Sequence, residues 1–169
     1  MAIKTQKQRL PGATADPDPA RIILDETAIR IGYRVSYLAN FFSGPIYREL
    51  EAVEDLTRPE FITMLCLAHC GGLTAQDISN MTGRPKNSLS RAVHRLVARG
   101  FISRVAAPKD PRQALLDLSA AGRETVERIL PRFSRREDQM LSPLTPQERR
   151  EFDRLLGKLV HREDDWTTR

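Results

Sequence analysis

Between residues 73 and 119 the chain is punctuated at intervals that leave room for one order of elements. Thr74, followed three positions later by Asp77, has the form of an N-cap whose acidic partner reaches back to the freed backbone donors, so a short helix starts there. Thr82 and Gly83 end it, because glycine takes up the positive φ of a helix terminus without steric cost. A second helix opens near Lys86, and Leu89, Val93, Leu96 and Val97 recur at three- and four-residue spacing as an inward stripe. Gly100 stops it. Residues 101–106 and 114–118 then alternate as two strands, joined across 107–113 by a connection rich in proline and charge that reads as an exposed wing. Helix, turn, helix, hairpin is the order these spacings impose.

The outward face of the second helix carries Asn87, Arg91, His94 and Arg95. Amide and guanidinium groups, in place of mixed acid and base, match the donor and acceptor edges of a DNA major groove. Charge names the partner more firmly than shape. Residues 84–112 hold eight basic side chains (Arg84, Lys86, Arg91, Arg95, Arg99, Arg104, Lys109, Arg112) and one acid, Asp110. That is a net +7 on a chain whose total is +5, so the other 140 residues sum to −2. Concentrated in this way, positive charge displaces counterions from phosphate. Asn87, Ser88 and Arg91 are the candidates for base edges, and Lys86, Arg104 and Lys109 for phosphate. Arg95 suits either role, and Arg84 and Ser90 belong to the same surface. Arg112, in the wing, is the cation for a minor groove. Asp110 either orients an arginine through a charge-assisted hydrogen bond or forms the turn.

The run LTAQDISNMTGRPKNSLSRAVHRLVARGFISRVAAPKDPRQALLDLSAAG resembles the winged helix-turn-helix of the MarR family of bacterial transcriptional regulators. In that family a recognition helix of the type S-K-x-x-V-S-R is followed by L-x-x-x-G-L-I and a D-x-R wing. Lys86, Ser90 and Arg91 stand at the family's Lys, Ser and Arg; Leu89 replaces Val, Asp110 and Arg112 fit D-x-R, and Leu118–Ser119 replaces Leu-Thr. Pro85 stands where a capping Ser is usual, and proline suits a first helical turn without supplying a side-chain cap. The resemblance implies a mainly α fold with a small β-hairpin wing, a winged helix-turn-helix with N- and C-terminal dimerisation helices. It implies a homodimer on a palindromic operator in double-stranded DNA, and a repressor released by a small molecule bound between those helices and the DNA-binding lobe. Tyr33, Arg34, Tyr37, Phe41 and Phe61 are the lining this sequence offers such an effector, suited to an aromatic acid or its coenzyme A thioester.

The remainder fits that plan. A 169-residue chain with 40% apolar content buries a core as one domain with extensions, and no run approaches the roughly 18 apolar residues of a membrane span. Residues 1–21, with three prolines and no apolar stretch of a secretory signal, read as a flexible arm. Two cysteines make no disulfide framework, which points to the cytoplasm. Residues 22–56 are expected to hold N-terminal dimerisation helices. Leu24, Ile31 and Leu38 interleave with Ala28, Val35 and Phe42 as a helical seam over 25–42, and Ser43, Gly44 and Pro45 break it before a second piece at 46–53. Thr57 with Glu60 opens a core helix, and 57–119 is the winged helix-turn-helix region. Ser119 caps a helix bent at Pro131. Thr145, Pro146 and Glu148 start a last one whose stripe of Phe152, Leu155, Leu156, Leu159 and Val160 exceeds what a monomer's edge helix requires. These make 120–162 the C-terminal dimerisation helices, and 163–169 a fraying tail.

Cys66 and Cys70, four apart with His69 between them, suit core packing, with thiol sensing and metal binding as alternatives. The three histidines form no catalytic constellation and no phosphate-binding glycine loop is present, so neither an enzyme nor a cofactor or metal is expected. A thiol-oxidation-sensing regulator and a winged-helix protein-interaction module are the competing functions. The second would show apolar anchors where Asn87, Arg91 and Arg95 stand.

Overall fold

The computed structural model describes residues 19–107 and 110–167, with the side chains of 19–21, 107 and 110–112 outside the description. Seven α-helices and one hairpin follow in order: α1 (Pro19–Glu26), α2 (Arg30–Glu54), α3 (Arg58–His69), α4 (Ala75–Thr82), α5 (Lys86–Ala98), β1 (Ile102–Ala107), β2 (Asp110–Leu118), α6 (Ala120–Leu141) and α7 (Pro146–Val160), then a 3-10 turn, Glu163–Asp165. The chain divides into two units after Phe41.

In the N-terminal unit the helix expected over 25–42 is broken. The Thr27 carbonyl accepts from Arg30 N at 3.1 Å, and the Thr27 side chain lies 3.5 Å from the Ile29 amide. A threonine that offers the backbone a local partner competes with the helical ladder. Leu24 and Ala28 therefore lie outside the helix that carries Ile31, Val35 and Leu38. Across the break Arg34 donates to the Leu24 carbonyl and to the Asp25 carboxylate. Ile22, Ile23, Ile29, Ile31, Val35, Leu38 and Phe41 remain exposed.

The C-terminal unit corrects a second expectation, because α2 runs through Pro45 unbroken to Glu54. An interior proline costs about 3 kcal/mol, having no N–H to give. Packing outweighs that cost here. Ile46 and Leu50 beyond the proline are buried, and Arg136 Nε of α6 donates to the Phe42 carbonyl just before it. The core then assembles Leu50, Leu56, Phe61, Met64 and Leu67 against Ile78, Leu89, Leu96, Leu116 and Ile129. Phe61 and Phe133 stack at 4.8 Å, and Tyr47 meets both edge-on, at 6.5 and 5.6 Å. By contrast α7 buries none of its residues, and Leu155, Leu159 and Val160 stay open to solvent.

The wing is longer than its alternation suggested. β1 and β2 pair antiparallel from Ile102↔Leu118 to Ala106↔Ala114, and after an irregularity again at Ala107↔Asp110, so 110–113 belong to a strand. Leu73 bridges to Leu116, with Leu116 N donating to the Leu73 carbonyl at 2.9 Å, which ties the stem to the start of the helix-turn-helix. At the other end Ser119 caps α6. Its Oγ accepts from Gly122 N at 3.0 Å, while its N–H donates to the Phe101 carbonyl at 3.0 Å. Gly122 has no room for a side chain there, because a Cβ would fall 2.2 Å from the Phe101 carbonyl oxygen and 2.8 Å from Leu118 Cδ1. Gly122→Ala is expected to destabilise the fold by about 1–3 kcal/mol, the usual range for overpacking, measured by urea unfolding. A stability equal to wild type would show that the strand-helix junction gives way freely.

The candidate nucleic-acid interface

The turn that presents α5 is built from short polar contacts. Thr74 Oγ1 accepts from Asp77 N at 3.1 Å, and the Asp77 carboxylate accepts from Thr74 N at 2.8 Å and from its hydroxyl at 2.7 Å, which closes the capping box. Those bonds, the hydroxyl's first, hold the Asp77 carboxyl below its ordinary value. Gly83 sits at φ 63°, and Ser79 Oγ donates across the turn to the Arg84 carbonyl at 2.7 Å. With Pro85 as the residue before it, α5 opens on backbone alone, Ser88 N donating to the Pro85 carbonyl at 3.0 Å. Its buried stripe is Leu89, Ala92, Val93 and Leu96. Val97, expected inward, is 39% exposed, since the i, i+3, i+4, i+7 set that faces the core takes Ala92 instead.

On the other side Lys86, Asn87, Arg91 and His94 are exposed and Ser88 and Ser90 half-buried. Among the described residues, no ion pair or side-chain hydrogen bond engages Lys86, Asn87 or Arg91. Asn87, Arg91 and His94, at i, i+4 and i+7, thus form a strip of unspent donors along one helix. Arg104 is exposed on β1. Lys109 lies outside the described residues. Asp110 and Arg112 are placed by backbone only, as the first and third residues of β2.

One expected DNA contact is drawn into the protein. Arg95 turns to the corner between α2 and α3. Its Nε lies 3.1 Å from Oε1 of the fully buried Glu60, an ion pair without hydrogen-bond alignment, and its Nη2 lies 3.3 Å from Asp55 Oδ1. A guanidinium held by two carboxylates is committed to the protein, so Arg95 positions the helix and is no longer a candidate for a base edge. Arg84 is half-buried, and burial together with the nearby Arg58 lowers its pKa. Among the residues proposed for an effector, Phe61 is 1% exposed in the core stack. Arg34 is paired with Asp25 and Tyr37 stacks on Phe41 at 4.2 Å, all in the N-terminal unit with Tyr33.

The corner that captures Arg95 was missed from sequence. Glu54 accepts from Arg128 Nη1 at 2.6 and 2.7 Å and from Arg132 Nη2 at 2.9 Å. Asp55, at the left-handed φ of 51°, and Glu54 offer their carbonyls to Arg99, whose guanidinium also lies over the Phe101 ring at 4.9 Å. The signal available was the ladder of Arg128, Arg132 and Arg136 at four-residue spacing on α6. The Arg128 hydrogen bond, with the attraction of both arginines, holds the Glu54 carboxyl below its ordinary 4.5. A depressed carboxyl adds stability that is present above the unfolded value and is lost as pH falls through the folded one. Unfolding free energy measured from pH 6 to pH 3 is therefore expected to drop less steeply in Glu54→Gln than in wild type. Parallel curves would remove Glu54 as a source of the acid dependence.

A helix-turn-helix followed by a two-stranded wing, with the second helix basic outward, defines the winged-helix class of DNA-binding proteins. The family model described as MarR family matches residues 54–113. HTH-type transcriptional regulator BilQ of Clostridium symbiosum is 31% identical over 88 residues, covering 52% of this chain and 61% of the relative, so the likeness spans about three-fifths of that protein. HTH-type transcriptional repressor Mb2911 of Mycobacterium bovis is 27% identical over 62% of this chain and 75% of its own. A MarR transcriptional regulator from Methanosarcina mazei Go1 superposes with a TM-score of 0.74 at 21% identity, covering 81% of this chain and 98% of that one. Bordetella bronchiseptica BpsR, whose DNA binding is regulated by 6-hydroxynicotinic acid, does so with a TM-score of 0.68 at 23% identity, over 78% and 98%. Residues 54–113 are thus similar to the MarR family, and the fold is that of solved MarR-type structures. The chain's relatives are transcriptional regulators and not enzymes.

Proposed function

We propose that this protein is a dimeric, sequence-specific DNA-binding regulator that represses transcription and is released by a small aromatic acid. The observation that carries the reading is the strip of Lys86, Asn87 and Arg91, exposed and unspent on a helix whose opposite face is buried. Donors left without intramolecular partners on a basic surface suit base edges and phosphate, whereas apolar anchors for a protein partner are missing from the strip. The dimer is supported by the apolar residues left exposed on α1, on the first turns of α2 and on α7, which a second copy would cover. Two recognition helices about 34 Å apart then read the halves of a palindrome in successive major grooves, and the dimer carries twice the chain's +5.

Repression has its parallel in the Mb2911 repressor, and control by an aromatic acid in BpsR, whose DNA binding 6-hydroxynicotinic acid regulates. Thiol sensing is the weaker reading. Burial, then the neighbouring Cys70, pushes the Cys66 thiol above its ordinary value, away from the reactive thiolate. Selection from random duplexes at several salt concentrations, with the mass of the complex measured in solution, tests the reading. A palindrome bound by two chains supports it, and the absence of any selected sequence overturns it.

A further inference from the structure

Three helices open on the same capping box, and one of the three acids is buried. Asp77 and Glu148, the acids of the boxes that open α4 and α7, are exposed and make no ion pair among the described residues. Glu60, the acid of the box that opens α3, is 0% exposed. Its Oε2 does the capping, accepting from Thr57 N at 2.7 Å and from the Thr57 hydroxyl at 2.6 Å. Its Oε1 accepts no hydrogen bond and has one cation beside it among the described residues, Arg95 Nε of α5 at 3.1 Å. The cap therefore requires neither the burial nor the second oxygen. A buried ion pair is also a weak source of stability, because desolvation of two charges offsets most of their attraction. What the pair supplies is direction.

The same guanidinium reaches Asp55, its Nη2 lying 3.3 and 3.4 Å from the two carboxylate oxygens. Among the described residues Asp55 is the one non-glycine at positive φ, 51°, a conformation that side chains rarely adopt. Its carbonyl and that of Glu54 accept from Arg99. The corner between α2 and α3 thus grips the C-terminal end of α5. Leu89, Val93 and Leu96 seat that helix on the core, but apolar contact is non-directional and leaves its angle soft. Asn87 lies eight residues before Arg95, about 12 Å along the axis at roughly 1.5 Å per residue. A tilt of about 5° around the grip moves it by about 1 Å over that length. Hydrogen bonds to a base edge tolerate a spread of only about 0.5 Å.

We propose that Glu60 and Asp55 are positioning residues for DNA recognition: through Arg95 they fix the angle at which α5 presents Asn87 and Arg91. Two carboxylates that touch no base then set how sharply one sequence is distinguished from another. They also keep the Arg95 cation from adding an indiscriminate phosphate contact. This rests on the DNA-binding reading above and deepens it.

The test compares the full chain with Glu60→Gln, Asp55→Asn, Arg95→Met and the Glu60→Gln/Arg95→Met double variant. Each is measured on the selected duplex and on a random duplex, at several salt concentrations. The ratio of the two affinities cancels any loss of folded protein, so a change that only destabilises does not move it. Glutamine keeps an oxygen for Thr57 and turns an amide, not a carboxylate, to Arg95. Glu60→Gln is expected to lower the ratio about tenfold, the discrimination of a misplaced bidentate contact, with the random duplex bound at least as tightly. Asp55→Asn keeps the left-handed backbone, which Asn tolerates, and is expected to lower the ratio about two- to fivefold, as an exposed pair does. Arg95→Met is expected to lower it as far as Glu60→Gln with the salt slope unchanged, and the double variant to fall no further. Unchanged ratios in Glu60→Gln and Asp55→Asn overturn the proposal. So does an Arg95→Met loss that multiplies with that of Glu60→Gln and lowers the salt slope by about one per chain, since Arg95 is then a DNA contact. Hydrogen exchange in the free protein separates the two readings. Amides of residues 95–99 are expected to exchange faster in Glu60→Gln, and unchanged exchange overturns the grip whatever the duplexes show. Faster exchange in a protein whose wild type prefers no duplex leaves the grip standing and overturns the DNA-binding reading instead.

Discussion

Arg91→Ala is expected to cost about 1–3 kcal/mol in binding to the selected duplex, roughly 5- to 150-fold in affinity, and to relax selection at one base pair in each half-site. The size follows from what Arg91 does in the free protein, which is nothing: its side chain is exposed and makes no ion pair or hydrogen bond among the described residues. Truncation therefore leaves no buried group behind and leaves the fold intact, so the whole loss appears in recognition. A guanidinium that pairs with guanine at two points discriminates by that amount. Lys86→Ala serves as the contrast. Lys86 is the proposed phosphate contact at the start of α5, and its loss is expected to weaken all duplexes alike and to lower the salt slope by about one per chain, with selection unchanged. If Arg91→Ala retains both affinity and selection, α5 is not the reading helix.

The largest effect on stability is expected from Phe61→Ala, about 3–5 kcal/mol. Phe61 is 1% exposed, stacked on Phe133 at 4.8 Å and met edge-on by Tyr47, so its ring joins α3 to both α2 and α6. Removing it strips a partner from two other rings and opens a cavity that three helices would have to collapse to fill. Each kcal/mol moves the melting temperature of a chain this long by roughly 2–4 °C, so a fall on the order of 10 °C is expected in a thermal scan. The same substitution also separates two roles for the ring. A pocket lining would lose ligand affinity with stability nearly unchanged, whereas a loss of several kcal/mol in the absence of any ligand marks a core residue.

Local chemistry was legible and long-range chemistry was not. The capping boxes at Thr57, Thr74 and Thr145 were readable because donor and acceptor lie three residues apart, and all three formed. Gly83 and Gly100 marked turns because both occupy positive φ, which few other residues accept. Pro45 misled, since its local cost was visible while the burial of Ile46 and Leu50 that outweighs it was not. Arg95 misled for the same reason. Helical spacing gave its side, but Asp55 and Glu60 lie 40 and 35 positions away, and no pattern in one sequence joins them. The hairpin's extent depended on an irregularity after Ala106 that lets pairing resume at Asp110, and alternation alone stops short of it. Of the proposed site, the α5 strip lies on the exposed face as the spacing required, while the effector lining was drawn from Arg34 and four aromatic residues of which one, Phe61, is structural.

The stem of the hairpin has a consequence for what lies beyond it. Its register is fixed from below, by the Leu73–Leu116 bridge on one side and by Ser119 and Gly122 against Phe101 on the other. Nothing in those anchors depends on what joins the two strands at the far end. A change in length or charge beyond the paired stem is therefore expected to leave its register, and α5, in place. Position 122 carries the opposite constraint, a glycine on which that freedom rests.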